Sequence, residues 1–206
     1  MPFIKLNNHS IYYETHGAGE TIVLLHNGFS CTKMWKGIFP RLVESGYRIL
    51  MYDRRGYGQS DQGKDFEDYY TGEGFRPDSV STMALLMQAL GEDRFHIVGQ
   101  CEGGVVGVDY AVRYPEQVKT LSTASTFCYS TVLLEDFNRQ KFPASFKQLP
   151  PDIQDKYFYW HGPERAERFY KLCSRYGGCY GRDIFDLRPA IEAVTCPSLV
   201  MYADRG

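Results

Sequence analysis

One stretch of ten residues restricts the possible folds of this chain more than any other. An apolar run at residues 95–98 leads into the segment GQCEGG, residues 99–104. Glycines two positions before and two positions after a nucleophilic side chain are typical of a sharp strand-to-helix turn, because they relieve the crowding around its central residue. Such a turn needs a buried strand before it and a helix after it. The pattern therefore predicts an α/β domain with Cys101 at the turn.

The rest of the chain alternates between strands and helices in the way that this turn requires. Continuous apolar runs favour strands that are buried on both faces of a parallel sheet. Strands are predicted at residues 3–6, 10–14, 21–25, 47–52, 95–98, 118–123 and 198–202, and helices at 35–45, 79–90 and 103–114. Asp78 or Ser79 is the predicted cap of the middle helix, and Gly91 is its predicted stop. We predict an α/β fold with a mostly parallel central sheet and helices on both faces.

The pattern changes between residues 127 and 187, which are rich in aromatic and charged side chains. This segment lies between two predicted strands, so it is interpreted as an insertion. The predicted organisation is a core domain at residues 1–126, an insertion at 127–187, and a return to the core sheet at 188–206.

Composition and charge exclude several classes of partner. The 206 residues carry a net charge of −2, and the pI is about 6.2. Nucleic acids and anionic membranes favour a basic surface, so a small-molecule substrate is expected instead of either partner. The N-terminus lacks the basic start and apolar stretch of a secretory signal, which makes the cytoplasm the default location. The six cysteines do not form close pairs, so reduced thiols are expected and neither a metal nor a cofactor is implied.

A polar loop, His26-Asn27-Gly28-Phe29-Ser30, follows the predicted strand at residues 21–25. Acyl transfer needs amides that point at the developing oxyanion, and Gly28 or Phe29 can supply one of them. The amide of Glu102, directly after Cys101, would be the second. His26 is expected to order this loop through backbone hydrogen bonds, and action as a catalytic base is the alternative. A third motif, at residues 53–60, lacks the glycine spacing of a phosphate-binding loop and is interpreted as a structural turn.

Together these motifs, with CPSLVMY at residues 196–202, resemble the α/β-hydrolase superfamily over nearly the whole chain. The cysteine in the nucleophile elbow is similar to that of dienelactone hydrolases and polyhydroxyalkanoate synthases, whereas the remaining pattern resembles the esterase, lactonase and haloperoxidase-like branch. The resemblance implies hydrolysis of a small ester, thioester or lactone through Cys101 without a cofactor. It also implies that residues 127–187 form a helical lid. Trp35, Tyr157 and Trp160 are candidates to line an apolar pocket, with packing of the lid on the core as the alternative.

The sequence departs from the family pattern near its C-terminus. The resemblance implies an acid after the strand at residues 198–202 and a histidine after one further strand. Asp204 is the only carboxylate near the acid position, and no histidine follows that strand. Three interpretations stay open: a truncated hydrolase, which leads, a degenerate relative that binds a small apolar ligand without turnover, or His161 as a substitute base. An uncovered sheet edge would also favour a homodimer.

Overall fold

The computed structural model describes residues 2–176, 180 and 184–203, and a seven-stranded sheet runs through its centre. The strands are β1 (Phe3–Leu6), β2 (His9–His16), β3 (Thr21–Leu25), β4 (Arg48–Tyr52), β5 (Phe95–Gln100), β6 (Val118–Ala124) and β7 (Ser198–Met201). Their order across the sheet is β1-β2-β4-β3-β5-β6-β7. β2 is antiparallel to β1 and to β4, and the other neighbouring pairs are parallel. The mostly parallel sheet predicted from the sequence is confirmed.

Helices pack on both faces of this sheet. They are α1 (Phe39–Glu44), α2 (Phe66–Thr71), α3 (Phe75–Leu90), α4 (Glu102–Arg113), α5 (Leu134–Lys141), α6 (Pro151–His161), α7 (Ala166–Tyr176) and α8 (Arg188–Glu192). All five side chains of β3 are buried, and they alternate between the two faces. Val23 and Leu25 belong to the large core cluster with residues of α3 and α4, whereas Ile22 and Leu24 pack in a smaller cluster beside α1. The two clusters explain why β3 is a continuous apolar run.

Two helices differ from their predicted bounds. α3 begins at Phe75, and neither Asp78 nor Ser79 is its cap, because both lie inside the helix. The helix extends towards its N-terminus because Phe75 is buried in the core and Pro77 falls in the first turn, where a missing N–H costs no helical hydrogen bond. The predicted stop at Gly91 is confirmed by its left-handed φ of 70°. The predicted helix at residues 35–45 is instead a 3-10 turn, Thr32–Trp35, followed by α1.

Residues 127–187 leave the sheet after β6 and return before α8, and their described part holds α5, α6 and α7. The two ends of this segment are joined at its base, where the amide of Ser130 donates to the carbonyl of Phe185 at 2.9 Å and the amide of Leu187 donates to that of Cys128 at 2.7 Å. We call residues 127–187 the lid segment.

Among the described residues, β7 pairs with β6 on one side only, and all four of its residues are exposed. Leu199 and Val200 are each more than half exposed, at 55% and 56%. A cavity of about 190 Å³ lies between α4, β6, β7 and α8, away from Cys101. Among the described helices, none has both the length and the apolar character needed to cross a membrane.

Candidate active site

The candidate site forms where β3 and β5 end. These strands are parallel neighbours, with Leu25 opposite Gly99, so the loop after β3 meets the turn at Cys101. The chain continues from β3 to β4 on one side and later returns to β5 on the other side, so the strand order reverses at this point. In open α/β sheets, ligands bind in the crevice at the carboxyl ends of the strands where the order reverses.

Cys101 occupies a strained backbone conformation between β5 and α4. Its φ of 52° and ψ of −117° lie outside the regions that L-residues prefer, which costs about 1–3 kcal/mol. α4 starts at the next residue and approaches β3 closely, because a Cβ atom on Gly103 would lie 2.3 Å from the carbonyl oxygen of Leu25. This close approach explains the glycine two positions after Cys101, and the turn has the geometry that the sequence pattern predicts.

Asn27 shapes the loop that faces Cys101. Its Oδ1 accepts hydrogen bonds from the amides of Phe29 at 2.8 Å and Ser30 at 2.9 Å, and its Nδ2 donates to Gln100 Oε1 at 2.9 Å. The Phe29 amide is therefore already bound within the loop. The amide of Gly28 is the remaining candidate for the oxyanion donor, so of the two alternatives that the sequence leaves open, the geometry favours Gly28.

Two backbone amides act on the thiol of Cys101. Burial is the main reason why the pKa of this thiol is raised, and the charge of Glu102 raises it further. Backbone hydrogen bonds from Glu102 and Gly28 lower the pKa and offset part of the rise. The Glu102 amide lies in the first turn of α4, where amides have no partner inside the helix. The same two amides can therefore donate to an oxyanion beside Cys101.

The side chain of Glu102 lies beneath the loop, and sequence reasoning assigned a function only to its amide. Its carboxylate is buried, accepts hydrogen bonds from the hydroxyl of Tyr57 at 3.3 Å, and lies 3.6 Å from Nη2 of Arg54. A Cβ atom on Gly28 would lie 2.4 Å from Glu102 Oε2. The buried carboxylate thus fixes how closely the loop approaches the elbow. The arginine-rich turn at residues 53–60 was the only sequence signal for this contact.

His26 is bound on both sides of its ring. Nδ1 donates to the carbonyl of Asn27 at 2.7 Å, and Nε2 accepts from the amide of Arg54 at 3.1 Å. Burial, followed by the positive charge of Arg54, holds the pKa of His26 well below its usual value. The imidazole is neutral and has no free nitrogen to take a proton from Cys101. This geometry favours the loop-ordering role over the catalytic one.

His161 joins α6 of the lid segment to two loops of the core. Its Nδ1 accepts from the amide of Gly58 at 3.1 Å, and its Nε2 donates to the carbonyl of Phe29 at 2.8 Å. The ring stacks on Phe169 with centroids 3.9 Å apart. Burial lowers the pKa of His161 to about 4. The interpretation of His161 as a substitute base therefore has no support from its contacts.

The other three histidines lie away from the elbow. His9 is 3.5 Å from a carboxylate oxygen of Asp61, and His16 Nε2 is 2.9 Å from Glu14 Oε2. His96 lies on β5 and pairs with Thr120 Oγ1 at 2.8 Å. None of the five histidines lines the cavity beside Cys101.

A cavity of about 250 Å³ opens beside Cys101 and is covered by the lid segment. Six of its thirteen described lining residues are aromatic, and they come from both the core and the lid: Phe29, Tyr70, Phe127, Phe137, Phe142 and Tyr180. Leu134 and Cys173 add further apolar surface from α5 and α7. The cavity therefore favours an apolar group next to the thiol.

The three aromatic residues predicted to line the pocket lie elsewhere, which corrects that expectation. Trp35 is buried in the smaller core cluster, beside α1. Tyr157 is buried among lid residues, and its ring contacts that of Trp160 at 5.8 Å. No described residue of α6 lines the cavity beside Cys101, whereas α5 forms part of the wall of that cavity. Asp204, the candidate acid, lies outside the described residues.

Comparison with known proteins gives a consistent family assignment. Residues 20–203 match the family model described as the alpha/beta hydrolase fold. The chain is 30% identical over 118 residues to 2-hydroxy-6-oxo-6-phenylhexa-2,4-dienoate hydrolase of Comamonas testosteroni, covering 55% of this chain and 38% of that protein. It is 30% identical over 174 residues to fluoroacetate dehalogenase of a Burkholderia species, covering 82% of this chain and 55% of that protein. The chain thus spans about half the length, or less, of these relatives.

Among solved structures, a bacterial membrane phospholipase A superposes with a TM-score of 0.76 at 21% identity. The match covers 98% of this chain and 69% of that chain. At this level of identity the likeness concerns the fold.

Proposed function

The chain belongs to the α/β-hydrolase fold family, and on that basis we propose that Cys101 accepts the acyl group of a small ester, thioester or lactone. The observation that carries the proposal is the placement of Cys101 at a strained turn, with the amides of Gly28 and Glu102 acting on its thiol. Nucleophile and oxyanion donors at one point are what acyl transfer requires. The cavity beside them provides room for the acyl group.

The proposed reaction has two steps. Sγ of Cys101 bonds to the carbonyl carbon while the thiol proton passes to solvent, and the oxyanion is held by the Gly28 and Glu102 amides. Collapse of this intermediate breaks the bond from the carbonyl carbon to the leaving oxygen or sulfur, which takes a proton from solvent, and leaves a thioester on Cys101; the hydroxyl formed from a lactone stays attached to the acyl group. Water then cleaves the thioester, which releases a carboxylic acid and restores the thiol.

The pKa of the thiol sets the pH dependence of the first step. Only the thiolate is an effective nucleophile, and burial raises the pKa of Cys101 above the ordinary thiol value of 9.0. Acylation should therefore accelerate with pH through neutrality and beyond pH 9.0.

A second candidate function is binding of a small apolar ligand without turnover. Its support is that all five histidines are bound elsewhere, so no described histidine is available to deprotonate Cys101 or to activate water for the second step. The aromatic cavity would serve either function.

A burst assay with p-nitrophenyl butyrate, combined with intact mass spectrometry, separates the two functions. Wild-type protein should release p-nitrophenol and gain one butyryl group, and Cys101→Ala should gain none. Cys196→Ala is the matched control, because this partly buried thiol lines the cavity beside β7 and not the one beside Cys101. It should acylate like the wild type.

Each outcome decides between the candidates. Repeated turnover that depends on Cys101 would establish the hydrolase and show that a further group acts as the base. One adduct per chain without turnover would support acyl transfer with a slow second step. No adduct, even at pH values above 9, would overturn the role of Cys101 and leave the ligand-binding function.

A further inference from the structure

The cavity beside Cys101 has a single cationic side chain at its opening. Lys141, the last residue of α5, lines this cavity, and no other basic residue of the described chain does so. Lys141 and Phe137 are both exposed, which places them at the side of the cavity that faces solvent. The ammonium group of Lys141 lies 5.1 Å from the centre of the Phe137 ring.

Lys141 forms no ion pair within the described part of the protein. The neighbouring cation on α5, Arg139, forms an ion pair with Glu135 one turn earlier. No described carboxylate comes within 4.0 Å of the Lys141 ammonium, which leaves its contact with the Phe137 ring. A cation held at an aromatic opening is available to a ligand.

The opposite end of the cavity has the opposite character. Glu102 is the only acidic residue among the described lining residues, and it lies at the floor beside Cys101. The described floor residues therefore offer a carboxylate no unpaired cation, because Arg54 already pairs with Glu102, whereas Lys141 at the opening does. Between the two ends the walls are mostly apolar, so no other charged group of the described lining residues competes for a ligand. A ligand should bind with its reactive carbonyl at Cys101 and its charge at Lys141.

The size of the cavity limits what lies between these two ends. Its volume of about 250 Å³ is below the roughly 300–1,000 Å³ typical of drug-sized ligands. A single ring surrounded by aromatic walls fits this space.

Resting on the proposed acyl transfer to Cys101, we propose that the preferred substrates are esters of small aryl acids whose acyl group ends in a carboxylate, and that Lys141 binds this carboxylate. Lys141 is then a specificity-determining residue, and its carboxylate partner sets the orientation of the acyl group in the cavity.

Two esters that differ only in this charge test the proposal. These are 4-nitrophenyl (4-carboxyphenyl)acetate and its neutral counterpart, 4-nitrophenyl (4-acetylphenyl)acetate. We expect the wild type to be acylated about fivefold faster by the anionic ester at low salt. This is the effect expected from one ion pair at the protein surface. Lys141→Met should remove the preference, and Lys141→Glu should reverse it. The control Lys147→Met changes an exposed lysine outside the cavity and should keep the preference.

Binding of the unreactive amides of the same two acids, measured by calorimetry, separates this proposal from the function on which it rests. Equal acylation of Cys101 by the two esters, unchanged in Lys141→Met, would overturn the role of Lys141 and leave acyl transfer standing. If neither ester acylates Cys101 but the anionic amide binds more tightly in a Lys141-dependent way, acyl transfer fails and the binding preference stands. Equal binding of the two amides would overturn the preference in either case.

Discussion

Gly28 is the residue on which the geometry of the candidate oxyanion loop depends most directly. A side chain at this position would collide with the buried carboxylate of Glu102, which Arg54 and Tyr57 hold in place. We expect Gly28→Ala to fold but to move the Gly28 amide away from Cys101. Loss of one oxyanion donor costs about 10²-fold in rate, so acylation measured by the p-nitrophenol burst should fall by up to that factor.

Gly37→Ala is the matched control for this substitution. A Cβ atom on Gly37 would meet no heavy atom within 4 Å, so this variant should acylate at the wild-type rate. Wild-type acylation by Gly28→Ala would show that the Gly28 amide does not contact the oxyanion.

Local patterns explain which site residues were predictable. The positions of Cys101, Gly28 and the Glu102 amide follow from glycine spacing and from the strands that precede them. The contact between Arg54 and Glu102 joins residues 48 positions apart, one in the turn after β4 and one at the start of α4, and the arginines of that turn were its only sequence signal. The lining of the cavity was also beyond the sequence, because it depends on which side of each lid helix faces Cys101.

At the scale of elements, one side chain from each of two lid helices donates a hydrogen bond to the candidate oxyanion loop, and the two acceptors are successive carbonyls. Cys173 on α7 donates its thiol proton to the Gly28 carbonyl at 3.5 Å and accepts from the Tyr70 hydroxyl at 3.3 Å. His161 on α6 donates to the Phe29 carbonyl at 2.8 Å. The lid segment therefore supports the loop as well as covering the cavity.

Cys173→Val tests this support, because it keeps the apolar volume and removes both hydrogen bonds. A net loss of about 1 kcal/mol of positioning corresponds to a roughly fivefold slower acylation. Binding of an unreactive amide should change little, since the cavity wall is preserved. If the acylation rate is unchanged while thermal stability falls, Cys173 has only a packing role.

The burial of His161 between the lid segment and the core makes the stability of the fold sensitive to acid. The folded pKa is about 4 and the ordinary value is 6.5, so the unfolded chain binds a proton between these pH values that the folded chain does not. The neutral, buried His161 therefore contributes about 3 kcal/mol to the free energy of unfolding above pH 6.5. This contribution is lost as the pH falls from 6.5 towards 4. Urea titrations of wild type and His161→Asn at several pH values measure it, because other titrating groups cancel in the difference. A difference that does not vary between pH 4 and 7 would contradict the assignment.

The elements themselves were predicted to different degrees. All seven strands were predicted, the parallel ones from their apolar runs and the antiparallel pair β1 and β2 from the turn residues Asn7 and Asn8 between them. α2 was missed, since its six residues are too short for a helical period to show. The start of α3 was placed too late because tertiary burial of Phe75 outweighs the capping signal of Asp78 and Ser79.

At the scale of the whole molecule, β7 is an edge strand with exposed apolar side chains in the part of the chain that the structure describes. Leu199, Val200 and Met201 are 41–56% exposed, and unpaired strand edges promote association between chains. We expect a concentration-dependent increase in apparent mass in sedimentation experiments. Val200→Lys should reduce it, because a charge on an edge strand opposes pairing.

The matched control for the edge is Ile38→Lys, which places a charge at another exposed apolar position far from β7. It should associate like the wild type. A monomeric wild type at all concentrations would rule out the homodimer expected from this edge.

The two buried imidazoles also give the molecule a spectroscopic label of its own. Their hydrogen bonds require opposite tautomers: the proton is on Nδ1 in His26 and on Nε2 in His161. The two tautomers have distinct ¹⁵N chemical-shift patterns, so among the five labelled histidines the His26 signal would report on the core and the His161 signal on the lid. Release of the lid would then be visible as averaging of the His161 signal while that of His26 stays fixed.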